Sequence, residues 1–320
     1  MVDSKQQWKA WLYLTPAIVL TLIFTVWPII NTVRMAFLNG YNGMAVVGGA
    51  TFKIGISNFK QVLMMGDFIG TLNEPGSLIT TMLLTLLTVP ISTILALLIA
   101  VALHSIKPLQ KLLQTIYFLP YVTNSIAIGM VFAAMFSIVG NMGTDGNDLI
   151  ITAGIINNLL GVFGIEPINF MNAGSTYWAN IAVMVVYIVW NALPFKILIL
   201  LGGLQGISKQ YYDAAKVDGT PRRRVFTRIT VPLLSPMLAY VVITGFIGGF
   251  KEYSSIVGIF GEGMGPVGDA GRLNTMVGYI YEALPQMNYG QASAAALILF
   301  VIIMIITLIN LQVSKKRVHF

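Results

Sequence analysis

The chain alternates long apolar runs with short polar breaks, and six of the runs are long enough to cross a bilayer, which takes roughly 20 apolar residues in a helix. They extend over about Trp11 to Phe37, Leu78 to Leu103, Leu113 to Val139, Tyr177 to Leu201, Leu234 to Ile259 and Gln291 to Val313. Pro16 and Pro28 fall near the ends of the first run, where a lost backbone hydrogen bond costs least. Trp8, Trp11 and Trp27 suit its two interfaces. That run is too long for a signal peptide, and no small-residue cleavage site follows it. The third run is interrupted by Pro120. A glycine-containing loop (Gly43, Gly48, Gly49, Gly55) follows the first run and a polar loop, 140–176, the third. A glycine-rich loop with Glu262, Asp269, Arg272 and Glu282 precedes the last.

One polar stretch stands apart, Tyr211 to Pro236. Ser208 can cap a helix from about Lys209 to Val217, its hydroxyl accepting a free first-turn N–H. Gly219 suits the left-handed position that ends a helix. Thr220 and Pro221 then read as the cap and first residue of a second helix, which carries Arg222, Arg223, Arg224 and Arg228 and stops near Pro232.

With 56% hydrophobic and 10% charged residues among 320, the composition is that of an all-α integral membrane domain spanning 1–320. There is no cysteine, hence no disulfide or thiolate chemistry. The net charge of +7 needs no nucleic acid to explain it, because the basic residues sit beside spans. If the N-terminus is cytoplasmic, the inner segments hold Lys5, Lys9, Lys107, Lys111, Lys209, Lys216, Arg222, Arg223, Arg224, Arg228, Lys315, Lys316 and Arg317. The outer loops hold most of the acids, among them Asp67, Asp145, Glu166 and Glu262. The positive-inside rule therefore places both termini and the 203–232 loop in the cytoplasm, with about six spans between.

The spacing Asp213-Ala214-Ala215, Gly219, Ile229, Val231-Pro232 resembles the EAA loop of binding-protein-dependent ABC transporter permeases. Asp213 stands where the family has Glu, and Val231 where it has Leu. Phe118 to Tyr121, Trp190 to Pro194, Gly203 to Gln205, Leu273 to Thr275 and the Lys-Lys-Arg-Val tail are similar to the sugar-uptake branch, the maltose- and glycerol-phosphate-type permeases. The resemblance implies a multi-pass subunit of a bacterial or archaeal plasma membrane. Its partners would be ABC ATPase subunits (two of them), a second permease and an extracellular or periplasmic solute-binding protein, besides the lipid itself. It implies a coupling helix seated on the ATPase, with Asp213, Ala214, Ala215, Gly219 and Arg222 as contact residues. ATP and Mg would be bound by the partner: this chain has no Gly-Lys-Ser/Thr triplet and no phosphate-cradling loop, so it would be a non-catalytic subunit.

Polar groups inside spans are costly and usually functional. Tyr121, Asn124 and Ser125 follow Pro120, and Asn191 precedes Pro194. Gly245, Gly248, Gly249 and Glu252 share one helical face, with Tyr253 beside them. These are the candidate substrate contacts; close helix packing is the competing account of the glycines. Glu252 is the sharpest candidate, as the carboxylate within a span, with a structural ion pair as the alternative. Lys196 lies near enough to a span end to snorkel and is set aside. His104, at a membrane exit, reads as interfacial. The expected function is alternating-access import of a saccharide or polyol. The competing reading is an ion-coupled secondary transporter, for which Glu252 with Lys251 would have to carry the ion.

Overall fold

The computed structural model describes residues 7–64, 66–71, 75–106, 112, 115–116, 121–142 and 149–317. The start of the third span around Pro120, the Lys107–Lys111 turn and the acidic residue Asp145 lie outside them. Among the described residues four helices are long and apolar enough to cross a membrane: α1 (Trp8–Ala36), α2 (Ser77–Ser105), α4 (Tyr177–Gln205) and α10, whose spanning part is Tyr289–Lys315 of Tyr289–Arg317. The third predicted span contributes the shorter apolar α3 (Ser125–Phe136). After α4 come α5 (Lys209–Val217), α6 (Arg222–Leu233), α7 (Ser235–Phe250), α8 (Ser254–Phe260) and α9 (Met276–Ala283). α6 and α7 meet at a bend of 67° and together make a fifth candidate span. An antiparallel hairpin, β1 (Ile138–Met142) with β2 (Leu149–Ala153), lies in the loop after α3. Asn172 holds its base, accepting from the Ile138 N–H at 3.2 Å and donating to the Ile138 carbonyl.

Two compact units result, Met1–Phe68 with Tyr279–Phe300, and Ile69–Gly278 with Val301–Phe320. In the first, α1 stays exposed along its apolar length. It carries a π-helical turn at Leu22–Val26, just ahead of Pro28. Asn58, 1% exposed, knits the end of α1 to the loop: it donates to the carbonyls of Ala36 (3.0 Å) and Leu38 (2.7 Å) and accepts from Gly40 N–H (3.1 Å). Gly40, with φ +65°, is free to take that turn. Asn42 reaches Asn288 at 2.7 Å, and Gly290 N–H donates to Tyr41, pinning the start of α10.

In the second unit α4 packs along α2, α7 lies against α2, and α8 packs on α3. Two apolar clusters result. One is built from Leu84, Phe136, Met184, Tyr187, Ile256 and Leu273 among others, the second from Ala96, Ala100, Ile197, Leu200, Leu234 and Val241 with their neighbours. Between them α2 turns a row of hydroxyls inward: Ser77, Thr81, Thr85, Thr88 and Ser92, at three- and four-residue spacing, are all buried. Thr81, Thr85 and Ser92 each donate to the carbonyl four residues back, so they cost little in an apolar setting. Thr81 also accepts from Met276 N–H at 2.9 Å.

Two local expectations are corrected. Pro221 is the cap of α6 rather than its first residue, because its carbonyl accepts from Arg224 and Val225 while Thr220 makes no side-chain cap bond. The fifth span does not continue to Ile259. Its helix closes where Lys251 and Glu252 N–H turn back to Gly248 and Gly249, and it restarts at Ser254. The break is tolerated because Thr275 donates to the Glu252 carbonyl at 2.8 Å, so that group has a partner without water.

Candidate functional site

A cavity of about 280 Å³ opens in the second unit between the two apolar clusters. It lies half-way along α2 and α4: Thr88, Val89 and Ser92 come from the middle of the first helix, Asn191, Phe195 and Lys196 from the second. α7 supplies Thr244, Gly245, Gly248 and Gly249 as its wall, Glu252 closes one end, and Tyr121 stacks on Phe195 (5.7 Å, 17°) at its edge. Aromatic faces, hydroxyls and a carboxamide thus converge on one space with one carboxylate and one ammonium.

The three glycines have different reasons. A Cβ on Gly249 would lie 2.8 Å from the Thr85 methyl, and one on Gly245 would lie 3.2 Å from both Lys196 Nζ and Val89, so both permit close helix approach. At Gly248 nothing lies within 4 Å: its missing side chain is cavity space. Packing and ligand space, the two accounts of these glycines, therefore divide among neighbouring residues.

Of the predicted substrate contacts, Tyr121, Asn191, Gly245, Gly249 and Glu252 are brought together. Asn124, Ser125 and Tyr253 do not line the cavity. Asn124 caps α3 by accepting from Ile126 N–H at 2.8 Å, Ser125 offers its carbonyl to the Tyr187 hydroxyl at 2.6 Å, and Tyr253 packs against the first apolar cluster. Glu252 has local work as well, Oε1 accepting from the N–H groups of Tyr253 (3.2 Å) and Ser255 (3.1 Å) at the start of α8.

Lys196 corrects the sequence reading. It does not snorkel: it is 5% exposed, and Nζ donates to Ser92 Oγ (2.7 Å), Thr93 Oγ1 (2.9 Å) and the Val89 carbonyl (3.3 Å). The reason is length. α4 runs on to Gln205, which puts Lys196 nine residues, about 13 Å, before the helix end, too deep for its stem to leave. The hydroxyl row on α2 was also missed, and its signal was in the sequence as Ser and Thr recurring at helical spacing through an otherwise aliphatic run.

The second feature is α5. Ser208 accepts from Gln210 N–H at 3.4 Å, and the far end closes with Thr220 N–H to the Ala215 carbonyl (2.9 Å) and Gly219 N–H to the Lys216 carbonyl (3.2 Å). Gly219 has φ +64°, as its position requires. Tyr212 braces α5 to α6 through Thr230 at 3.3 Å. Ala215 is buried, while Asp213, Ala214, Gly219 and Arg222 are exposed. Ala214, Ala215, Tyr211, Asp218 and Ile229 help line an open concavity of about 440 Å³ beside the helix.

Residues 77–319 match the family described as binding-protein-dependent transport system inner membrane component. The chain belongs to this family. The permease is 29% identical over 311 residues to the arabinooligosaccharides transport system permease protein AraP of Bacillus subtilis, covering 95% of this chain and 88% of that one. It is 27% identical over 319 residues to the lactose transport system permease protein LacF of Rhizobium radiobacter, covering 97% and 95%. Its fold is that of a bacterial ABC transporter crystallised as an importer of the acidic polysaccharide alginate, with TM-score 0.75, 22% identity, and coverage of 98% and 96%. The protein is accordingly a multi-pass membrane component of an ABC transport system, a permease rather than an enzyme, and the ion-coupled alternative is set aside.

Proposed function

We propose that the permease forms the membrane path of an ATP-driven importer for saccharides, working by alternating access, with the mid-span cavity holding the sugar. The observation that carries this reading is the cavity itself. Stacked Tyr121 and Phe195 suit the apolar C–H faces of a sugar ring, while Asn191, Thr88, Ser92, Thr244 and Glu252 suit its hydroxyls. The names of relatives that carry arabinooligosaccharides and lactose support the same class.

In this reading residues 1–320 act as one permease domain paired with a second, different permease. A solute-binding protein delivers the sugar on the outer face, and two ATPase subunits, which hold ATP and Mg, dock on the 203–232 loop. α5 is the coupling helix, with Asp213, Ala214, Ala215, Gly219 and Arg222 at the contact. Both termini lie in the cytoplasm of a bacterium or archaeon. The test is ATP-dependent uptake of labelled arabinotriose, lactose and maltose into vesicles carrying the complete complex, with amino acids and inorganic phosphate as controls. Uptake of a saccharide is expected. Uptake confined to the controls overturns the reading.

A further inference from the structure

Lys196 and Glu252 line the same cavity, yet no ion pair joins them. Each is tied down by neutral groups instead, Lys196 by three oxygens of α2 and Glu252 by two backbone N–H groups, of Tyr253 before α8 and of Ser255 in its first turn. An ammonium has three N–H donors, and all three here are taken. Lys196 therefore presents charge to the cavity but no free hydrogen bond. These bonds tie both side chains to the protein, and among the described residues no other acidic or basic side chain lines the space. In surroundings this apolar, fixed charges act across several ångströms with little screening.

We propose that Lys196 and Glu252 are specificity-determining residues that make the cavity an electroneutral filter for uncharged saccharides. The inference rests on the saccharide reading and deepens it. A neutral sugar meets walls of this chain on which the two formal charges cancel, and it offers hydroxyl donors to Glu252. A uronate brings a second negative charge towards Glu252 and finds no donor left on Lys196. An amino sugar's ammonium is drawn to Glu252 but opposed by Lys196. Charge exclusion thus comes from two hydrogen-bonded poles, one at each of these residues.

The test uses the complete importer in proteoliposomes and pairs of saccharides of one linkage that differ in charge: galactobiose with digalacturonate, cellobiose with cellobiouronate, and chitobiose with its de-N-acetylated form. Wild-type uptake is expected to favour each neutral member by at least about tenfold. Glu252→Gln leaves an amide oxygen able to accept the Tyr253 and Ser255 N–H bonds but makes the cavity net positive. It should cut the neutral-over-uronate preference by about tenfold. Lys196→Gln makes the cavity net negative and should admit the de-N-acetylated sugar while still refusing uronates. If Glu252→Gln does not assemble, the wild-type ratios and Lys196→Gln decide. Equal wild-type uptake within the pairs, or ratios unmoved in assembled variants, overturns the filter. Absence of uptake of every saccharide overturns the saccharide reading instead.

Discussion

At Gly129 a side chain has nowhere to go: a Cβ there would lie 2.7 Å from the backbone of Gly258, where α3 meets α8. Backbone cannot yield as a flexible side-chain tip can, so two helices must separate to admit even a methyl group. Gly129→Val should therefore destabilise by about 1–3 kcal/mol, the usual range for overpacking. Gly248→Ala, which meets open space, should cost no more than helix propensity changes allow. Thermal unfolding of the purified permease in detergent measures the contrast, and equal midpoints for the two variants would show that α3 and α8 are not in contact at Gly129. Nothing in the local sequence separates these two glycines, because each sits in an apolar helix. The difference lies wholly in what faces them.

Among the elements, α5 is the most self-contained. Its cap, its buried Ala215 and its Gly219 closure are all local, and Tyr212 and the turn at Pro221 fix its angle to α6. A short rigid helix joined through α6 to a 67° bend can carry a push on α5 into α7, whose glycines wall the cavity. Gly219→Val forces a side chain into the left-handed region at a cost of roughly 1–2 kcal/mol, and Asp213→Ala would remove the charge-assisted contact proposed with the ATPase, worth roughly 1.5–3 kcal/mol. The double variant should lose both uptake and ATPase retention while still inserting and pairing with its partner permease. Pull-down of the ATPase from membranes is the measurement. Wild-type retention with wild-type uptake would reduce the loop to a topology anchor.

At the scale of the whole molecule, the sidedness proposed from the basic residues is open to direct test. With no native cysteine, single replacements Ser4→Cys, Gly146→Cys and Lys216→Cys can be probed by an impermeant thiol reagent in intact cells. Labelling is expected at position 146 alone, and labelling at 216 inverts the model of the path. The proposed orientation would put α5 on the cytoplasmic side, where an ATPase would meet it. The exposed α1 belongs to this scale as well, since an apolar stretch in which no residue is buried needs lipid or a partner around it.

The sequence by itself determined whatever depends on neighbours along the chain. Ser208 and Gly219 delimit α5 to the residue, because capping is a bond between a side chain or amide and a carbonyl a few positions away. Run length located four of the spans within a few residues, because bilayer thickness sets how many apolar residues a helix needs. Only the tertiary structure decided what faces what. It placed Lys196 against Val89, Ser92 and Thr93, more than a hundred positions away, rather than at the membrane surface. It gave Asn124 and Ser125 to helix ends and core contacts, and it left Gly248 bare while filling the space beside Gly245 and Gly249. The physical reason is that a polar group in an apolar run signals only that it must find a partner. Which partner it finds is settled by helices brought together from distant parts of the chain.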